Sequence, residues 1–416
     1  MVSSCFIPGV DASAFSLANL PYAVFSTPGQ PPRPCVRAGD AVLDLCGLEQ
    51  RGLLRLPGVD AVFDAPVLNP FMAAGPEVWA DVRQQLQRLL DVNTPTLRDA
   101  PDVQAEIFHS LSDVDLHLPM RVGDYTDFYA SRHHATNVGT LFRGPEHALP
   151  PNWLHLPIGY HGRASSVVLS GTPIRRPSGQ TRPAGAEAPV FGPSRELDLE
   201  VELGAVIGVG NSLGESIPVD EAAAHLFGYV LVNDWSARDI QRWEYKPLGP
   251  FLGKSFATTI SPWIVPAAAL APFRVPLAPH MPTPLPYLTQ ADRLGLDIDL
   301  AVDVVSENGT ASSIIETNAK HLYWTFPQMI AHHTVNGCNL QPGDLLASGT
   351  ISGPAPRSFG SLLERSAGGA QALTLPDGST RTFLEDGDTV ILRGAAQRGD
   401  LRIGFGEARG QIHPAR

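Results

Sequence analysis

The chain has 416 residues, 43% of them hydrophobic and 17% charged, a composition that favours an ordinary globular protein over a disordered one. Its formal net charge of −12 argues against nucleic acid as a partner, and the sequence has no run of lysine or arginine. No stretch reaches the roughly 18 apolar residues of a membrane span, and the first residues lack a secretory signal. The four cysteines are scattered and lack the spacing of a metal site. This pattern favours reduced thiols and therefore a cytoplasmic location.

The first part of the chain predicts a small strand-rich unit with helices. The runs YAVFST and PCVRAGDAVLDL resemble strands, and the second turns at residues 38–40, which is typical of a hairpin. A helix is predicted to begin at Pro76 and Glu77. Its apolar stripe consists of Val78, Val82, Leu86, Leu89 and Leu90. A second helix is expected within DAPDVQAEIFHSL. We place a domain boundary after this region, giving domains over residues 1–118 and 119–416.

The second part of the chain predicts a large unit rich in short strands. Glycine and proline number 39 each, which favours turns over long helices. The expected strands are 165–169, 197–209, 227–233, 296–305, 380–384 and 389–393. One helix is predicted from Asn318 to Thr334, with a kink or break at Pro327. The fold class is therefore mainly β with few helices.

Four carboxylates alternate along the segment ELDLEVELGAVIG. On a strand, one face would carry Glu196, Asp198, Glu200 and Glu202, with neighbouring carboxylates about 7 Å apart. Repulsion between these carboxylates is weak in water but costly in a buried environment of low dielectric constant. The strand becomes apolar on both faces after Glu202. We therefore expect Glu200 and Glu202 to be buried, and Glu196 and Asp198 to face water. A buried pair predicts a hard cation, calcium or magnesium. The alternative is a fully solvated acidic face.

A second candidate group follows the apolar strand that ends at Asp234. In the next helix, Arg238, Gln241 and Tyr245 have the spacing i, i+3, i+7 and share one face. Lys254 lies in a glycine-flanked turn. A cation, an amide and a phenol beside a carboxylate are typical of a clamp for an oxygen-rich substrate. The alternative is an amphipathic helix with a solvated face.

A third group lies in GDYTDFYASRHHATNVG. Asp127 and Tyr129 alternate along an extended stretch, whereas His133 and His134 are neighbours that point in different directions. Either histidine could act as a general base, or both could be structural. Tyr160 lies further along between two glycines that allow close approach of a ligand. No nucleotide-binding motif is present. These residues predict acid–base chemistry around an oxygen-bound metal.

The same segments carry a resemblance to a known family. DYTDFYASRHHATNVG, NWLHLPIGYHGRASSVVLSGTPIRRP, NDWSARDIQRWEYKPLGPFLGKSFATTISPW, VNGCNLQPGDLLASGTISG and SFGSLLE together resemble the fumarylacetoacetate hydrolase family. The likeness extends over nearly the whole chain, since NLPYAVFST and GDAVLDL also match. It implies a small N-terminal Src-homology-3-like β-barrel and a large C-terminal β-roll that forms a homodimer. It also implies hydrolysis of the carbon–carbon bond of 4-fumarylacetoacetate to fumarate and acetoacetate, in tyrosine and phenylalanine degradation.

The resemblance also implies roles for individual residues. The implied calcium ligands are Asp127, Glu200, Glu202 and Asp234. Magnesium is implied at Asp234, Lys254 and Thr258, although an ammonium group cannot ligate a cation and Lys254 would have to use its carbonyl oxygen. The implied catalytic residues are the proton acceptor His134, its carboxylate partner Glu364, and the oxyanion-stabilising Arg238, Gln241 and Lys254. The implied substrate contacts are Tyr129, Arg143, Tyr160, Gln241, Tyr245 and Thr350. The family commonly has glutamine where His133 stands.

Two other functions stay open at this stage. The chain could be a related acylpyruvate hydrolase or a 2-keto acid decarboxylase of the same family, against which the N-terminal part and SFGSLLE argue. It could also be a catalytically silent calcium-binding protein, against which the presence of both His134 and Glu364 argues. For the enzyme, the expected partner is a small-molecule diketo-acid substrate, and neither nucleic acid nor a membrane is expected.

Overall fold

A computed structural model describes residues 4–56, 58–59 and 61–416. The α-helices in these ranges are α1 Leu45–Gln50, α2 Asn69–Ala73, α3 Pro76–Leu90, α4 Pro95–Arg98, α5 Pro101–Ile107, α6 Arg132–Arg143, α7 Arg238–Glu244, α8 Phe326–Thr334 and α9 Leu362–Arg365. Short 3-10 helices span Leu111–Asp113, Pro145–His147, Ala164–Ser166, Ala222–His225, Ala267–Phe273, Pro286–Leu288, Ala319–His321 and Pro356–Ser358.

The strands outnumber the helices and most are short. They are β1 Tyr22–Ser26, β2 Arg33–Ala38, β3 Ala41–Asp44, β4 Phe108–Ser110, β5 Asp115–His117, β6 Tyr125–Phe128, β7 Gly159–His161, β8 Val167–Leu169, β9 Ile174–Arg175, β10 Ser178–Thr181, β11 Val190–Pro193, β12 Leu197–Asp198, β13 Val201–Ile207, β14 Leu226–Asp234, β15 Ser236–Ala237, β16 Thr258–Ile260, β17 Val265–Pro266, β18 Arg274–Pro276, β19 Leu294–Leu296, β20 Asp299–Val305, β21 Ala311–Asn318, β22 Leu345–Ala347, β23 Leu373–Thr374, β24 Thr380–Arg381, β25 Thr389–Arg398 and β26 Leu401–His413. The prediction of a mainly-β fold with few helices is confirmed.

The N-terminal strands form a five-stranded antiparallel sheet in the order β4-β3-β2-β1-β5. The predicted hairpin joins β2 to β3, with Ala38 paired to Ala41. Helix α3 begins at Pro76 as predicted, and its buried residues are Val82, Leu86, Leu89 and Leu90. Strand β5 ends at His117 and β6 begins at Tyr125. The domain boundary between residues 118 and 119 stays a prediction.

The largest sheet lies in the second part of the chain and has the order β7-β6-β22-β13-β14-β16-β8, with β17 also paired to β14. Every residue of β13 and β14 is buried, which explains their continuous apolar sequence. Successive side chains of β14 enter different cores: Leu231 packs in one, whereas Val230 and Val232 pack with the N-terminal residues in the other. A second large sheet has the order β21-β20-β25-β26-β9.

Several predictions of secondary structure are wrong. The expected strand 165–169 is shortened to β8 by a preceding 3-10 helix, the expected strand 296–305 is divided into β19 and β20, and β24 covers only the first two residues of the expected strand 380–384. The expected strand 197–209 is divided, because Leu199 and Glu200 leave the ladder and the Glu200 amide donates to the side chain of Asn233 at 3.1 Å. The expected helix from Asn318 begins instead at Phe326, where the Thr325 side chain caps it and Pro327 occupies the first turn. Proline is accommodated in a first helical turn but not in a helix interior, so it marks the start of this helix and not a kink.

None of the helices in the described ranges combines the length and the apolar composition that a membrane crossing requires.

Candidate active site

Neighbouring strands bring four carboxylates together at one end of the largest sheet. Asp127 on β6 pairs with Ala347 of β22, which in turn pairs with Gly204 of β13. Glu202 on β13 lies opposite β14, and β14 ends at Asp234. The ligand atoms of Asp127, Glu200, Glu202 and Asp234 all lie within 4.8 Å of one another, and all four residues are buried. We call these four residues the acidic cluster.

Cationic side chains neutralise part of the acidic cluster. Arg238 donates to Glu200 at 2.6 Å, and the Lys254 ammonium group contacts both Glu200 and Asp234, the latter at 2.7 Å. Burial alone would raise the pKa of Glu200, but Arg238 and Lys254 outweigh burial and hold the pKa well below its ordinary value. The same carboxylates raise the pKa of Lys254 against the effect of its burial. Glu200 is therefore a carboxylate with its charge already paired.

The other side of the cluster lacks such partners. Asp127 Oδ1 and Glu202 Oε1 are buried and accept no hydrogen bond. Burial, followed by the repulsion of Asp234, raises the pKa of Asp127 well above its ordinary value; burial and Asp127 do the same for Glu202. A buried carboxylate oxygen without a donor is costly. The arrangement is one that a cation would complete.

The donor set fits a hard divalent cation. Four buried carboxylates supply oxygen donors only, and calcium and magnesium prefer oxygen ligands. The two oxygens without donors, on Asp127 and Glu202, are free to ligate. Thr258 donates its hydroxyl to Asp234 at 3.1 Å, and Lys254 acts as a counter-ion. The Lys254 side chain is thus occupied as a donor, and any contact of this residue with a metal would use its backbone.

A histidine–carboxylate pair lies beside the acidic cluster. Helix α6 carries His134, and its Nδ1 lies 2.7 Å from Glu364 Oε2 on α9. The hydroxyls of Ser352 and Ser361 each donate to the same oxygen at 2.9 Å. Glu364 therefore acts as the acceptor, and Nδ1 of His134 carries the proton. The other nitrogen, Nε2, lies 4.0 Å from Glu200 Oε1 and faces the cluster.

The pair is complete without any added group. Burial would raise the pKa of Glu364, but His134 and the hydrogen bonds from Asn137 and Ser352 lower it below its ordinary value. Asn137 donates to Glu364 Oε1 at 2.8 Å. Glu364 is therefore a fixed carboxylate that orients His134, with Nε2 free to accept a proton from a molecule beside the cluster.

The predicted clamp forms around Arg238. The guanidinium donates through Nε to Asp198 at 2.8 Å and through Nη1 to Gln241 at 3.1 Å, in addition to its bond with Glu200. Three of its five N–H groups are engaged, so two can meet a substrate oxygen. With Lys254, these donors surround the space next to His134 with positive and polar groups.

Asp198 is where the sequence prediction is wrong. It is fully buried, whereas we expected it to face water with Glu196. Its oxygens accept from Arg238 and from backbone amides, which offsets part of the cost of burial. Glu196 is partly exposed and pairs with Arg242 at the surface. The expectation placed the start of the buried stretch at Glu200, whereas Leu197, Asp198 and Leu199 are already buried.

Three of the predicted substrate contacts lie beside the acidic cluster or the His134–Glu364 pair. The Tyr160 hydroxyl donates to Asp234 at 3.3 Å, and the Tyr129 ring meets the His134 ring edge-on with centroids 5.4 Å apart. Thr350 is buried, and its hydroxyl has no partner. Gly349 precedes it with φ +73°, and its amide donates to Glu202 at 3.2 Å. A Cβ at this position would lie 2.1 Å from a carbonyl oxygen of β6, so the contact requires glycine.

Two other predicted contacts are not joined to the cluster by hydrogen bonds. The Arg143 guanidinium donates to the carbonyl oxygens of His147 and Ala148, just beyond α6. Tyr245 follows the last turn of α7 and is partly exposed. His133 is also partly exposed, and its ring meets the ring of His321 at 5.9 Å, away from the pair formed by its neighbour His134.

Sequence reasoning missed three partners of Glu364. Ser361 lies three residues before Glu364 and caps the same helix, a spacing that a capping pattern could have revealed. Asn137 lies three residues after His134, and this spacing places both side chains on one helix face. Ser352 comes from a separate loop, and no local signal points to it.

Comparison with known proteins gives consistent matches over both parts of the chain. Residues 124–413 match the family model described as fumarylacetoacetate (FAA) hydrolase C-terminal, and residues 18–119 match the model described as fumarylacetoacetase N-terminal. Among curated proteins, the chain is 54% identical over 415 residues to the fumarylacetoacetase of Mus musculus and 53% identical to that of Homo sapiens, with 99% of each chain covered. The fumarylacetoacetase of Arabidopsis thaliana is 52% identical, covering 99% of this chain and 98% of the relative.

A solved structure supports the fold. The fumarylacetoacetate hydrolase from the psychrophilic bacterium Exiguobacterium antarcticum aligns with a TM-score of 0.53 at 19% identity, covering 95% of this chain and 100% of that one. At this identity the likeness concerns the fold alone.

Proposed function

Since the chain belongs to the fumarylacetoacetate hydrolase family, we propose that it cleaves the carbon–carbon bond of 4-fumarylacetoacetate with water, giving fumarate and acetoacetate. The observation that carries this proposal is the His134–Glu364 pair, whose free Nε2 faces a buried acidic cluster suited to a divalent cation. A base beside a hard-cation site is suited to hydrolysis of an oxygen-rich substrate.

The chemical difficulty is that a carbanion is a poor leaving group. A 1,3-diketone reduces this difficulty, because the departing fragment leaves as an enolate. A divalent cation held by the acidic cluster would polarise the substrate carbonyl and take up enolate charge, which is worth several kcal/mol. By family resemblance we propose calcium, with ligands Asp127, Glu200, Glu202 and Asp234. Magnesium is proposed near Asp234 and the backbone of Lys254 and Thr258.

The chain's own residues supply the proton transfers. Nε2 of His134 removes a proton from water, while Glu364 holds the ring in the required tautomer and stabilises the imidazolium that forms. The hydroxide adds to the carbonyl carbon, and the new oxyanion accepts hydrogen bonds from the group formed by Arg238, Gln241 and Lys254. Collapse of this intermediate breaks the carbon–carbon bond. The imidazolium then returns its proton to the enolate.

The remaining substrate contacts follow the same proposal. Tyr129 and Thr350 border the base and the cluster, and Tyr160 bonds with Asp234, so these side chains limit where a diketo acid can lie. Arg143 and Tyr245 lie outside the hydrogen-bonded cluster and would have to meet a carboxylate of the substrate at its far end. We also propose a homodimer and a cytoplasmic location, in keeping with the family and the sequence.

A substrate panel tests the proposed function. Purified protein with calcium or magnesium is given 4-fumarylacetoacetate, an acylpyruvate and a 2-keto acid, while loss of diketone absorbance and release of carbon dioxide are followed. We expect turnover of the first substrate with equal amounts of fumarate and acetoacetate. Efficient turnover of an acylpyruvate alone, or carbon dioxide as the product, would replace the proposal with one of the related activities.

A further inference from the structure

Asp198 is a buried carboxylate to which the proposed mechanism assigns no role. It is the last residue of β12 and is fully buried, with hydrogen bonds to the first turn of helix α9 and to Arg238. The bonds to Asp198 span 40 residues to Arg238 and 164 residues to Leu362, so this one side chain joins three distant segments. Arg238 belongs to the proposed oxyanion group, and helix α9, which begins at Leu362, carries Glu364.

Each oxygen of Asp198 accepts two hydrogen bonds. Oδ1 accepts from the amides of Leu199 at 2.8 Å and Leu362 at 2.7 Å, whereas Oδ2 accepts from the Leu363 amide at 2.9 Å and from Arg238 Nε at 2.8 Å. All four donors are N–H groups, which only a carboxylate can accept together. Charge-assisted bonds of this kind are short and directional, so Asp198 defines the distance between Arg238 and α9.

We propose that Asp198 is a positioning residue that holds the oxyanion-stabilising Arg238 and the Glu364-bearing helix α9 in one fixed relation. The inference rests on the proposed function, since it assigns Asp198 to the same reaction. Both oxygens of Asp198 are occupied by these four donors, and none of the four belongs to the His134–Glu364 pair. Its effect on the reaction passes through the two groups that it orients.

The substitution Asp198→Asn tests this proposal with little change in volume. Either orientation of the amide would place its NH₂ group against two N–H donors, either Leu199 and Leu362 or Arg238 and Leu363. Arg238 and α9 would then move apart. Small displacements of orienting groups lower activity by about 10- to 100-fold. We expect a decrease of this size in kcat with little change in KM, because Asp198 does not contact the substrate.

Asp388 provides a matched control. It is also fully buried, and it accepts two hydrogen bonds from Arg381 at 2.9 Å and one from the Glu385 amide at 2.9 Å. None of its partners belongs to the acidic cluster or to the His134–Glu364 pair. Asp388→Asn therefore carries a similar structural cost and should lower the melting temperature while leaving kcat close to that of the parent.

The experiment compares the parent, both Asn variants, the single variants Arg238→Lys and Glu364→Gln, and each of these two combined with Asp198→Asn. Activity on 4-fumarylacetoacetate is measured well below the lowest melting temperature, so that every protein is folded. If Asp198 acts through Arg238 and Glu364, each double variant should lose less than the product of its two single losses. A parent without turnover would instead refute the proposed function, which separates the two claims.

Two results would overturn the inference. The first is an Asp198→Asn variant with the kcat of Asp388→Asn, and the second is fully multiplicative losses in both double variants. If Asp198→Asn does not fold, Asp198→Glu keeps the negative charge and lengthens the side chain by one methylene. We then expect about a tenfold lower kcat, since Arg238 and α9 are displaced. A parental kcat in the folded Asp198→Glu variant would contradict the proposal equally.

Discussion

The two halves of the candidate active site differ in how completely their polar atoms are partnered. In the His134–Glu364 half, four side chains donate to the carboxylate of Glu364: those of His134, Asn137, Ser352 and Ser361. In the acidic half, Asp127 and Glu202 each keep a buried oxygen without a donor. The pKa of Glu364 is accordingly lowered, whereas the pKa values of Asp127 and Glu202 are raised.

This difference assigns separate tasks to the two halves. The first half is preorganised by the chain alone, so its geometry does not depend on any bound group. The four carboxylates of the second half outnumber the cationic groups Arg238 and Lys254, so a bound divalent cation would balance the remaining charge. Substitutions should therefore separate catalysis from metal binding.

The largest effect is expected in the preorganised half. His134→Ala removes the proposed base and should lower kcat by about 10²–10⁴-fold, while metal binding changes little. The measurement is steady-state turnover together with calorimetric titration of calcium. His133→Gln is the control, because the neighbouring ring is partly exposed and points to His321, so its kcat should stay near the parent's. An unchanged rate in His134→Ala would remove this residue from the mechanism.

In the acidic half, substitutions are expected to have a smaller effect, and this effect should be on metal affinity. Asp127→Ala or Glu202→Gln removes an oxygen without a donor, and calcium affinity should fall roughly tenfold or more, since it depends on the number of carboxylates. Glu196→Gln is the control from the same acid-rich segment, because Glu196 lies at the surface beside Arg242. Equal calcium affinity in all three variants by calorimetry would contradict the ligand assignment.

Some residues of the candidate active site could be predicted from the sequence and others could not. The buried pair Glu200 and Glu202 could be predicted, because the two carboxylates alternate in a segment that becomes apolar, and Asp234 was expected at the end of another buried strand. That Asp127 and Asp234 join this pair was implied only by the family resemblance. The residues from distant segments that hold the site in place could not be predicted in this way. The burial of Asp198 depends on amides 164 residues away, and Ser352 reaches Glu364 from an irregular loop. Periodicity describes one segment at a time, so contacts between distant segments leave no local signal.

Secondary structure shows the same limit on a smaller scale. The opening proline of α3 predicted its start correctly, and four of the five residues of the predicted apolar stripe are buried. The helix near Phe326 was predicted too long, because Leu322 extends the apolar pattern toward the 3-10 helix Ala319–His321. Thr325 and Gln328 form a capping box there, which is the local signal that defines the true start.

The smallest effect concerns the stability of the metal-free protein. Burial and neighbouring carboxylates raise the folded-state pKa of Asp127 above the ordinary value of 3.8. The folded state then binds more protons than the unfolded state, so this contribution to stability is fully present below pH 3.8 and is lost as pH rises through the raised pKa.

In thermal melts with chelator, the melting temperature of the wild type should fall relative to that of Asp127→Asn as pH rises above about 4, because the variant lacks this titration. The relative decrease should be a few degrees at most. Addition of calcium should flatten the wild-type curve. Parallel curves for wild type and Asp127→Asn would show that Asp127 is not strained by its neighbours.

Metal removal and return test the central claim most directly. Protein is treated with chelator, its bound metal is counted, and turnover of 4-fumarylacetoacetate is measured before and after calcium or magnesium is returned. The account predicts that activity and bound divalent ion disappear together and recover together, with His134→Ala binding the ion but staying inactive. Full turnover by protein that holds no divalent ion would contradict it.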